Sequence, residues 1–515
     1  MSIIKFEDVS FTYRRAEKPA LEGINLSVTE GEFLAVMGEN GSGKTTLCKL
    51  INGIIPHLNG GRLSGTVTVD GCNTRDSSVP ELAFKVGMVL DDPDAQLFAS
   101  TVRHEAAFGP ENICLSPAEI EDRVKFALSA AGLDGFEDRN PAALSGGEKQ
   151  RLSIAAALAM KGSILVLDEP LCRLDTYGVT QVMSVLDDIK KRRGITIVMA
   201  THHSEMAARY ADRVCILKQG RIAALDTVKS IFANSELPEK YGIRPIKKEI
   251  IEITGDMKDK EINEMTEDAN CAVYIKNFCF KYDNGAGIEN INLSINDNDF
   301  IALIGNNGSG KTTLLKSITG LLRPASGDIF IRGRNIRTLS AGEISLEIGY
   351  VMQTCDIQLF TGSVFSEVAF ALKNMRKQSS FVNHNCGNRG NFRFKKRLTK
   401  AEIKKRAEDA LNTVGLRCAD AFPHALSRAD RVKTVIACVL AMGSKIILFD
   451  EVDSGSDYKS TLEIMNMAKT LHSNGYTVIF VTHNITLACD YAHRIIRIGR
   501  NGVVFDKEQL TTSNE

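Results

Sequence analysis

Residues 34–50 read LAVMGENGSGKTTLCKL, and residues 301–317 read IALIGNNGSGKTTLLKS. Each stretch consists of a short apolar run, a glycine-rich loop and a segment that begins with lysine and threonine. A long stretch that returns in this way is typical of an internal repeat. The 515-residue chain is also too long for one ordinary domain. The sequence therefore predicts two related domains.

Both stretches match the pattern GxxxxGKT between a predicted strand and a predicted helix. In this pattern, backbone N–H groups of the loop surround phosphates, the lysine reaches the outer phosphates and the threonine hydroxyl ligates Mg²⁺. Two matches in register are more specific than one. The predicted phosphate-binding residues are Gly38, Asn40, Gly41, Ser42, Gly43, Lys44, Thr45, Thr46, Gly305, Asn307, Gly308, Ser309, Gly310, Lys311, Thr312 and Thr313.

An apolar strand that ends in two acids follows in each copy, as ILVLDEP at 164–170 and IILFDEV at 446–452. After a phosphate loop, the first acid is expected to hold the Mg²⁺ shell, and the second to orient or deprotonate the attacking water. The predicted metal ligands from these strands, together with the loop threonines Thr45 and Thr312, are Asp168 and Asp450. The predicted catalytic carboxylates are Glu169 and Glu451.

The same order of predicted elements occurs twice. Alternating strands are followed by a strand–loop–helix, a helical middle section, and apolar strands that alternate with helices. Short apolar strands between helices indicate a buried, mostly parallel sheet and therefore an α/β fold. We expect a first domain at 1–248, a charged linker at 249–270 and a second domain at 271–515.

The second copy is longer, partly because of the stretch MRKQSSFVNHNCGNRGNFRFKKR at 375–397. This polar, basic and glycine-containing stretch is interpreted as an inserted surface loop. Its combination of basic and aromatic side chains would also suit RNA. The residues concerned are Arg376, Lys377, Arg389, Arg393, Lys395, Lys396 and Arg397, with Phe381, Phe392 and Phe394.

The overall composition limits other functions. Lys+Arg and Asp+Glu both total 63, so the net charge is zero and a nucleic-acid partner is not expected. The 12 cysteines are scattered without a C-x-x-C pair and are interpreted as reduced thiols in the cytosol, with a metal cluster as the alternative. No apolar run approaches the length of about 20 residues that crosses a bilayer. A role at a membrane would therefore be that of a peripheral subunit.

Further motifs resemble those of the ATP-binding-cassette (ABC) proteins, over nearly the whole chain. LSGGEKQR at 144–151 resembles their signature sequence, and a Thr-His pair stands at the end of one strand in each copy. The resemblance implies two tandem P-loop NTPase cassette domains that pair within one chain. Each would have an N-terminal antiparallel β subdomain, a mostly parallel core sheet and a helical subdomain. It also implies an ATPase with ATP and Mg²⁺ as cofactors.

The resemblance adds further residues to the expected sites. The switch histidines would be His202 and His483, and the Q-loop glutamine, which contacts the metal and the attacking water, would be Gln353. Tyr13 and Tyr282 would stack on adenine, although tyrosines at a strand edge are the alternative. The signature residues that contact nucleotide would be Ser145, Gly146, Gly147 and Glu148.

A narrower resemblance lies in DDPDAQLFASTVRHEAAFGP at 91–110 and QTCDIQLFTGSVFSEVAFAL at 353–372. These stretches resemble the segment after the Q-loop in energy-coupling-factor transporter ATPases, which work with an integral-membrane coupling protein and a substrate-binding membrane subunit. The resemblance implies the motor of a vitamin or metal-ion importer, peripheral on the cytoplasmic face of the cell membrane. Phe98 and Phe360 would be apolar anchors for the coupling protein. Ordinary core phenylalanines are the alternative.

In ABC proteins each ATP lies between the phosphate loop of one domain and the signature of the other. The second signature reads LSRADRVK at 426–433, with Arg428 and Ala429 in place of two glycines, and Asp91 replaces the first Q-loop glutamine. A side chain obstructs the approach of backbone N–H to phosphate, and a carboxylate cannot donate a hydrogen bond. All three departures affect one site.

These departures lead to a hypothesis of unequal sites. The site on Lys311 and Glu451 is complete and would perform most of the hydrolysis. The degenerate site on Lys44 and Glu169 would bind ATP more persistently.

A second function also fits a tandem cassette chain, namely a soluble ATPase that acts on ribosomes and is similar to the ABC-F translation factors. The basic insert favours it. However, the linker lacks a long basic helical arm, and the two QLF-containing segments match the importer ATPases. DNA-repair or chromosome ATPases would need long coiled coils or zinc modules, which the sequence does not contain.

Overall fold

The computed structural model describes residues 2–172, 174–233, 236–246, 271–282, 285–378, 398–499 and 502–508. The chain divides into two compact units, here called the first and the second unit, which are Met1–Lys248 with Asp457–Lys459, and Glu249–Ser456 with Ser460–Glu515. The predicted linker at 249–270 lies outside the described residues. Of the predicted insert at 375–397, only residues 375–378 are described, at the end of a helix.

The described part of the first unit forms two sheets. Its strands are β1 (Ser2–Tyr13), β2 (Leu21–Thr29), β3 (Phe33–Met37), β4 (Gly61–Val69), β5 (Cys72–Asn73), β6 (Val86–Val89), β7 (Ile164–Asp168), β8 (Thr196–Ala200), β9 (Arg213–Lys218) and β10 (Arg221–Thr227). One sheet, in the order β2-β1-β4-β5, is antiparallel. The core sheet has the order β10-β9-β3-β8-β7-β6 and is parallel except for β10.

Helices cover this core sheet. They are α1 (Lys44–Ile51), α2 (Ile54–His57), α3 (Val79–Ala83), α4 (Pro93–Gln96), α5 (Val102–Asn112), α6 (Pro117–Ala130), α7 (Gly146–Ala159), α8 (Thr176–Arg193), α9 (Ser204–Tyr210), α10 (Val228–Ile231) and α11 (Glu236–Lys240), with a 3₁₀ helix at Pro141–Ala143. Their ends follow local sequence signals. For example, Ser116 caps α6 through the N–H of Glu119, and Gly194 ends α8 in the left-handed conformation.

The second unit repeats this arrangement. Its strands are β11 (Cys271–Lys281), β12 (Gly287–Asn296), β13 (Phe300–Ile304), β14 (Ser326–Ile331), β15 (Arg334–Asn335), β16 (Ile348–Val351), β17 (Ile446–Asp450), β18 (Thr477–Val481), β19 (Arg494–Gly499) and β20 (Gly502–Glu508). The sheet β12-β11-β14-β15 is antiparallel. The core sheet β16-β17-β18-β13-β19-β20 is parallel except for β20.

The helices of the second unit also follow the order seen in the first. They are α12 (Lys311–Ile318), α13 (Ala341–Glu347), α14 (Val364–Gln378), α15 (Lys400–Thr413), α16 (Arg428–Met442), α17 (Tyr458–Ser473) and α18 (Ile485–Tyr491), with 3₁₀ helices at Ile336–Thr338, Cys355–Gln358 and Pro423–Ala425. The α/β prediction, including the antiparallel β subdomains and the helical subdomains, is confirmed.

Apolar packing on both faces explains why the core strands are continuous apolar runs. Every residue of β3, β7, β8 and their counterparts β13, β17 and β18 is buried. In the first unit, one cluster joins the sheet to α5, α6, α7 and α8, and another joins it to the antiparallel strands. The second unit has two equivalent clusters. Each fully buried leucine or phenylalanine contributes about 1.5–3 kcal/mol to such a core.

Strand order also determines where the loops meet. In the first unit, β8 lies between β3 and β7, with Ala200 level with both Val36 and Asp168. The carboxyl ends of these parallel strands therefore lie at one edge of the sheet. At such an edge α/β proteins bind their ligands.

Candidate functional site

The loop after β3 has a backbone that only glycine can adopt. Gly38 has a φ of 150°, and a β-carbon at this position would lie 2.2 Å from the carbonyl oxygen of Leu217. In the second unit, Gly305 has a φ of 151°, and its β-carbon would lie 2.5 Å from the carbonyl oxygen of Ile498. The glycines thus allow the loop to curl against the neighbouring strand.

Each loop encloses its buried lysine. Lys44 Nζ donates to the carbonyls of Gly38, at 3.0 Å, and Glu39, at 3.2 Å. Lys311 Nζ likewise donates to the carbonyls of the loop in its own unit, at 2.8 and 3.1 Å. Among the described residues, the hydroxyls of Ser42 and Ser309 are buried and have no hydrogen-bond partner. A buried cation beside unpaired donors fits a phosphate group.

The two tyrosines lie beside the helices that follow these loops. The hydroxyl of Tyr13 shares a 3.1 Å hydrogen bond with that of Thr46, and Tyr282 shares one of 3.2 Å with Thr313. The Tyr13 ring also packs edge-on against Phe11. The tyrosines are therefore next to the phosphate loops. Stacking on adenine remains a prediction.

The two strand-terminal aspartates meet the loop threonines. Thr45 Oγ1 donates to Asp168 Oδ1 at 3.1 Å, and Thr312 Oγ1 donates to Asp450 Oδ1 at 3.0 Å. Burial raises the pKa of both carboxyl groups, and the threonine hydrogen bonds oppose this effect. Hydroxyl and carboxylate oxygens placed together are the ligands that Mg²⁺ prefers.

A tyrosine that the sequence did not single out also contacts the second aspartate. Tyr350 OH donates to Asp450 Oδ2 at 2.6 Å. Burial and the neighbouring Asp450 raise the pKa of the phenol, so the hydroxyl remains a donor. Met88 occupies this position in β6 of the first unit. The Asp450 carboxylate is therefore held on both oxygens.

The two glutamates have left-handed backbones, which is unusual for this residue type. The φ of Glu169 is 49° and that of Glu451 is 48°. Their N–H groups donate to the carbonyls of Ala200, at 3.0 Å, and Val481, at 3.2 Å. These carbonyls end the strands that precede His202 and His483, the predicted switch histidines. Strained backbone of this kind occurs where the surrounding structure imposes a functional geometry.

In the second unit, Glu451 accepts hydrogen bonds on both oxygens. His483 Nε2 lies 2.9 Å from Oε1, and Gln353 Nε2 donates to Oε2 at 2.9 Å. Lys311 Nζ lies 4.0 Å from Oε1. The structure thus brings together three of the predicted catalytic side chains and the phosphate-loop lysine.

In the first unit, the surroundings of Glu169 differ. His202 Nε2 lies 3.1 Å from Glu169 Oε1, 3.0 Å from Asn40 Oδ1 and 3.2 Å from Lys44 Nζ. Asp91 replaces the donating amide. Burial raises the pKa of Glu169 to about 7, although Lys44 opposes the shift. Burial and Lys44 lower the pKa of His202 to about 3.

The QLF-containing segments have a structural function that the sequence did not reveal. Gln96 accepts from the N–H of Leu90 at 3.0 Å and donates to the carbonyl of Met88 at 3.1 Å. In the second unit, Gln358 makes the same two bonds with Met352 and Tyr350, both at 2.9 Å. Each glutamine therefore closes a loop around the Q-loop position.

A buried glutamate follows in each segment. Glu105 accepts from the N–H groups of Phe98, at 2.9 Å, and Ala99, at 2.7 Å. Glu367 accepts from the N–H groups of Phe360 and Thr361 in the same way. Because a phenylalanine lies at each of these turns, the buried carboxylates hold the turns that present the aromatic rings.

The phenylalanines themselves are not core residues. Phe98 is 66% exposed and Phe360 is 63% exposed, so the alternative interpretation as core residues was wrong. Each packs edge-on against a second exposed phenylalanine from the following helix, Phe108 at 4.6 Å and Phe370 at 4.9 Å between ring centroids. The two units therefore carry equivalent exposed aromatic pairs.

Comparison with known proteins decides the family. The family model described as ABC transporter matches residues 21–172 and 288–454, which together exceed half of the chain. The chain belongs to the ABC transporter family. It is an ABC-type ATPase with two ATP-binding cassettes.

Full-length relatives of this ABC ATPase are known. A candidate ABC transporter ATP-binding protein of Caldanaerobacter subterraneus is 33% identical, over 95% of this chain and 88% of the relative. Another from Methanosarcina acetivorans is 32% identical, over 98% of this chain and 85% of the relative. Among solved structures, cbiO1 from Clostridium perfringens, part of the ABC transporter complex cbiONQ, is 36% identical and has a TM-score of 0.42. The match covers 46% of this chain and 94% of cbiO1.

The ABC signature segments begin equivalent helices in the two cassettes. Ser145 caps α7 and forms a reciprocal pair with Glu148, each side chain bonding the other residue's N–H. Ser427 caps α16 through the N–H of Asp430. The two serines keep the same capping function, so Arg428 replaces a signature glycine without loss of the helix. Among the residues that the structure describes, no helix combines the length and hydropathy needed to cross a bilayer.

Proposed function

We propose that this ABC ATPase is the motor subunit of an energy-coupling-factor-type importer for a vitamin or a metal ion. It would act at the cytoplasmic face of the cell membrane. Its partners would be an integral-membrane coupling protein and a substrate-binding membrane subunit. The observation that carries the proposal is the pair of exposed phenylalanines at the same place in both units, Phe98 with Phe108 and Phe360 with Phe370.

Exposed aromatic pairs on a firmly held turn are typical of an interaction site. A large apolar side chain in water gains free energy when a partner covers it, and paired aromatic rings offer a wide apolar surface. Here the turns are held by buried Glu105 and Glu367, so the rings are presented in a defined position. In the second unit, Ile357 adds a further exposed apolar side chain nearby in sequence. The expected occupant is an apolar helix of the coupling protein.

We also propose that the two ATP sites are unequal. By the family resemblance, the phosphate loop of the second cassette would be completed by the signature residues Ser145, Gly146, Gly147 and Glu148. The other site would face Arg428 and Ala429 and would carry Asp91. The different hydrogen bonding of Glu451 and Glu169 supports this asymmetry, because only Glu451 accepts from a Q-loop amide.

The residues divide the proposed reaction between them. Bound Mg²⁺ would be held by Thr312, Gln353 and Asp450 in one site, and by Thr45 and Asp168 in the other, where it would neutralise phosphate charge. Lys311 and Lys44 would bind the outer phosphates. Glu451, kept in place by Gln353 and His483, would accept a proton from the attacking water. Glu169 and His202 would perform the slower reaction.

Affinity purification from the native cell tests the proposal. The tagged full-length chain, solubilised gently, should copurify with a polytopic membrane protein and a small membrane protein, both identified by mass spectrometry. The double variant Phe98→Ser with Phe360→Ser should lose both partners. Phe84→Ser, which removes an exposed phenylalanine from a different element, should retain them. Ribosomal proteins in place of membrane proteins would support the ribosomal ATPase instead.

A further inference from the structure

Arg428, which occupies a signature glycine position, contacts its own Q-loop. Its Nη2 donates to the backbone carbonyl of Gln353 at 3.3 Å. If a β-carbon were added to Gly455, in the turn that follows Glu451, it would lie 3.7 Å from Arg428 Nη1. The guanidinium therefore stands between the two loops that flank the glutamate. A planar group with five donors is suited to such a bridging position.

The first unit provides a matched comparison. There Lys149 Nζ pairs with Asp94 at 2.6 Å, and the second unit has the equivalent pair of Arg431 with Asp356 at 3.2 Å. Both units therefore have an ion pair between the helix that begins at the signature, α7 or α16, and the segment that follows the Q-loop. Gly146, at the position of Arg428, has no side chain. The bond to the Q-loop carbonyl is an addition in the second unit.

This additional bond is one step away from the catalytic carboxylate. Gln353 is exposed and lies in a loop after β16, while its amide donates to Glu451 Oε2 at 2.9 Å. A long, exposed side chain loses conformational entropy when it is fixed against one acceptor. If its backbone is already anchored, less entropy remains to be lost when that hydrogen bond forms. Fixing the carbonyl of Gln353 thus favours the position from which the amide meets Glu451.

We propose that Arg428 is a positioning residue for hydrolysis at the Glu451 site, acting through Gln353. The proposal rests on the function proposed for Glu451. One substitution would then have two consequences. Arg428 takes the place of a signature glycine in the degenerate site. The same arginine anchors the Q-loop backbone in the site that performs most of the hydrolysis.

The test uses the full-length chain in a Glu169→Gln background, so that turnover reports the Glu451 site. Arg428→Met should lower kcat about 10-fold and change KM by less than about 2-fold, since small displacements of positioned groups reduce rate more than binding. Arg428→Lys, which keeps a donor, should recover part of kcat. Amide hydrogen exchange of residues 353–358 should become faster in Arg428→Met. Lys433→Met, which removes ion pairs with Asp430 and with Glu463 of α17 from the same helix as Arg428, should change neither quantity.

Three results would overturn the inference. One is an unchanged kcat together with unchanged exchange in Arg428→Met. Another is an equal loss of kcat in Lys433→Met, which would indicate a general effect on the helix. The third is full turnover in Glu451→Gln. This result would contradict the function proposed for Glu451 itself, and measuring that single variant distinguishes it from a failure of the Arg428 inference alone.

Discussion

Glu451 and Glu169 occupy equivalent positions at the ends of two strands, but their neighbouring side chains give the two carboxylates different environments. Glu451 accepts from Gln353 and lies beside His483, and the adjacent Asp450 is held by a tyrosine and a threonine. In the first unit, Glu169 lies near a histidine and a lysine, and burial raises its pKa to about 7. A base needs a defined position as well as a suitable pKa. The more restrained carboxylate is the one expected to act.

Tyr350→Phe tests the restraint on the metal-binding aspartate. The change removes the 2.6 Å hydrogen bond to Asp450 Oδ2 and nothing else. Such a bond to a charged group contributes about 1.5–3 kcal/mol, so turnover should fall roughly 10-fold or more. The Mg²⁺ concentration for half-maximal ATP binding should rise as well. Titration with Mg²⁺ in a fluorescent-nucleotide assay, alongside steady-state ATPase, measures both.

The control for this prediction is Met88→Leu, a volume-conserving change at the same position in the first unit. It should leave both the Mg²⁺ dependence and the turnover unchanged. Wild-type values of both quantities in Tyr350→Phe would show that Thr312 alone is sufficient to hold Asp450.

At the scale of elements, the QLF-containing segment joins the Q-loop to the exposed aromatic pair. Gln358 closes the loop after β16, and Glu367 at the start of α14 holds the turn with Phe360. The start of α14 is thus linked, through residues 358–361 and their hydrogen bonds, to Met352, the residue before Gln353. This connection offers a physical route by which a partner on the aromatic surface could influence the ATP site.

Glu367→Gln should weaken this element. Both N–H groups donate to the same oxygen of Glu367, so glutamine keeps an acceptor there but loses the negative charge that strengthens the two bonds, at a cost of about 1–2 kcal/mol. Hydrogen exchange of residues 359–363 should accelerate by roughly 5-fold or more, and the thermal midpoint of the second unit should fall. Glu105→Gln should have the same effect in the first unit.

Glu408→Gln serves as the comparison variant. Glu408 is exposed and pairs only weakly with Lys404 at 3.8 Å, so its loss should change stability by less than about 1 kcal/mol. If Glu367→Gln behaves like Glu408→Gln, the buried carboxylate does not hold the turn.

Much of the element order was predictable because it depends on strong local patterns. The buried strands are continuous apolar runs, the phosphate loops have a glycine pattern, and the acid pairs stand at the carboxyl ends of β7 and β17. Tyr350 and Gln358 could not be predicted, since a tyrosine in a strand and a glutamine in a loop are ordinary until their partners are known. The left-handed backbone of Glu451 was also unpredictable, because it occurs together with a hydrogen bond to the carbonyl of Val481 on a neighbouring strand. Interactions distant in sequence are not visible in a local pattern.

At the scale of the whole molecule, two cassettes with one fold differ in the polar residues at their ATP sites. The sheets, helices and capped signature segments are equivalent, but Asp91, Met88 and Gly146 in one unit correspond to Gln353, Tyr350 and Arg428 in the other. A duplicated motor with equal sites would need no such differences. The proposed importer would therefore have one site that performs most of the hydrolysis and one that binds ATP more persistently.

Comparison of Glu451→Gln with Glu169→Gln, by steady-state phosphate release from the purified full-length chain, tests this claim most directly. Both changes replace a carboxylate with an amide of the same shape and remove a proton acceptor. We predict that Glu451→Gln lowers turnover by roughly 100-fold or more, as expected for loss of a general base, whereas Glu169→Gln lowers it by less than about 3-fold. Equal losses in the two variants would contradict the assignment of unequal sites.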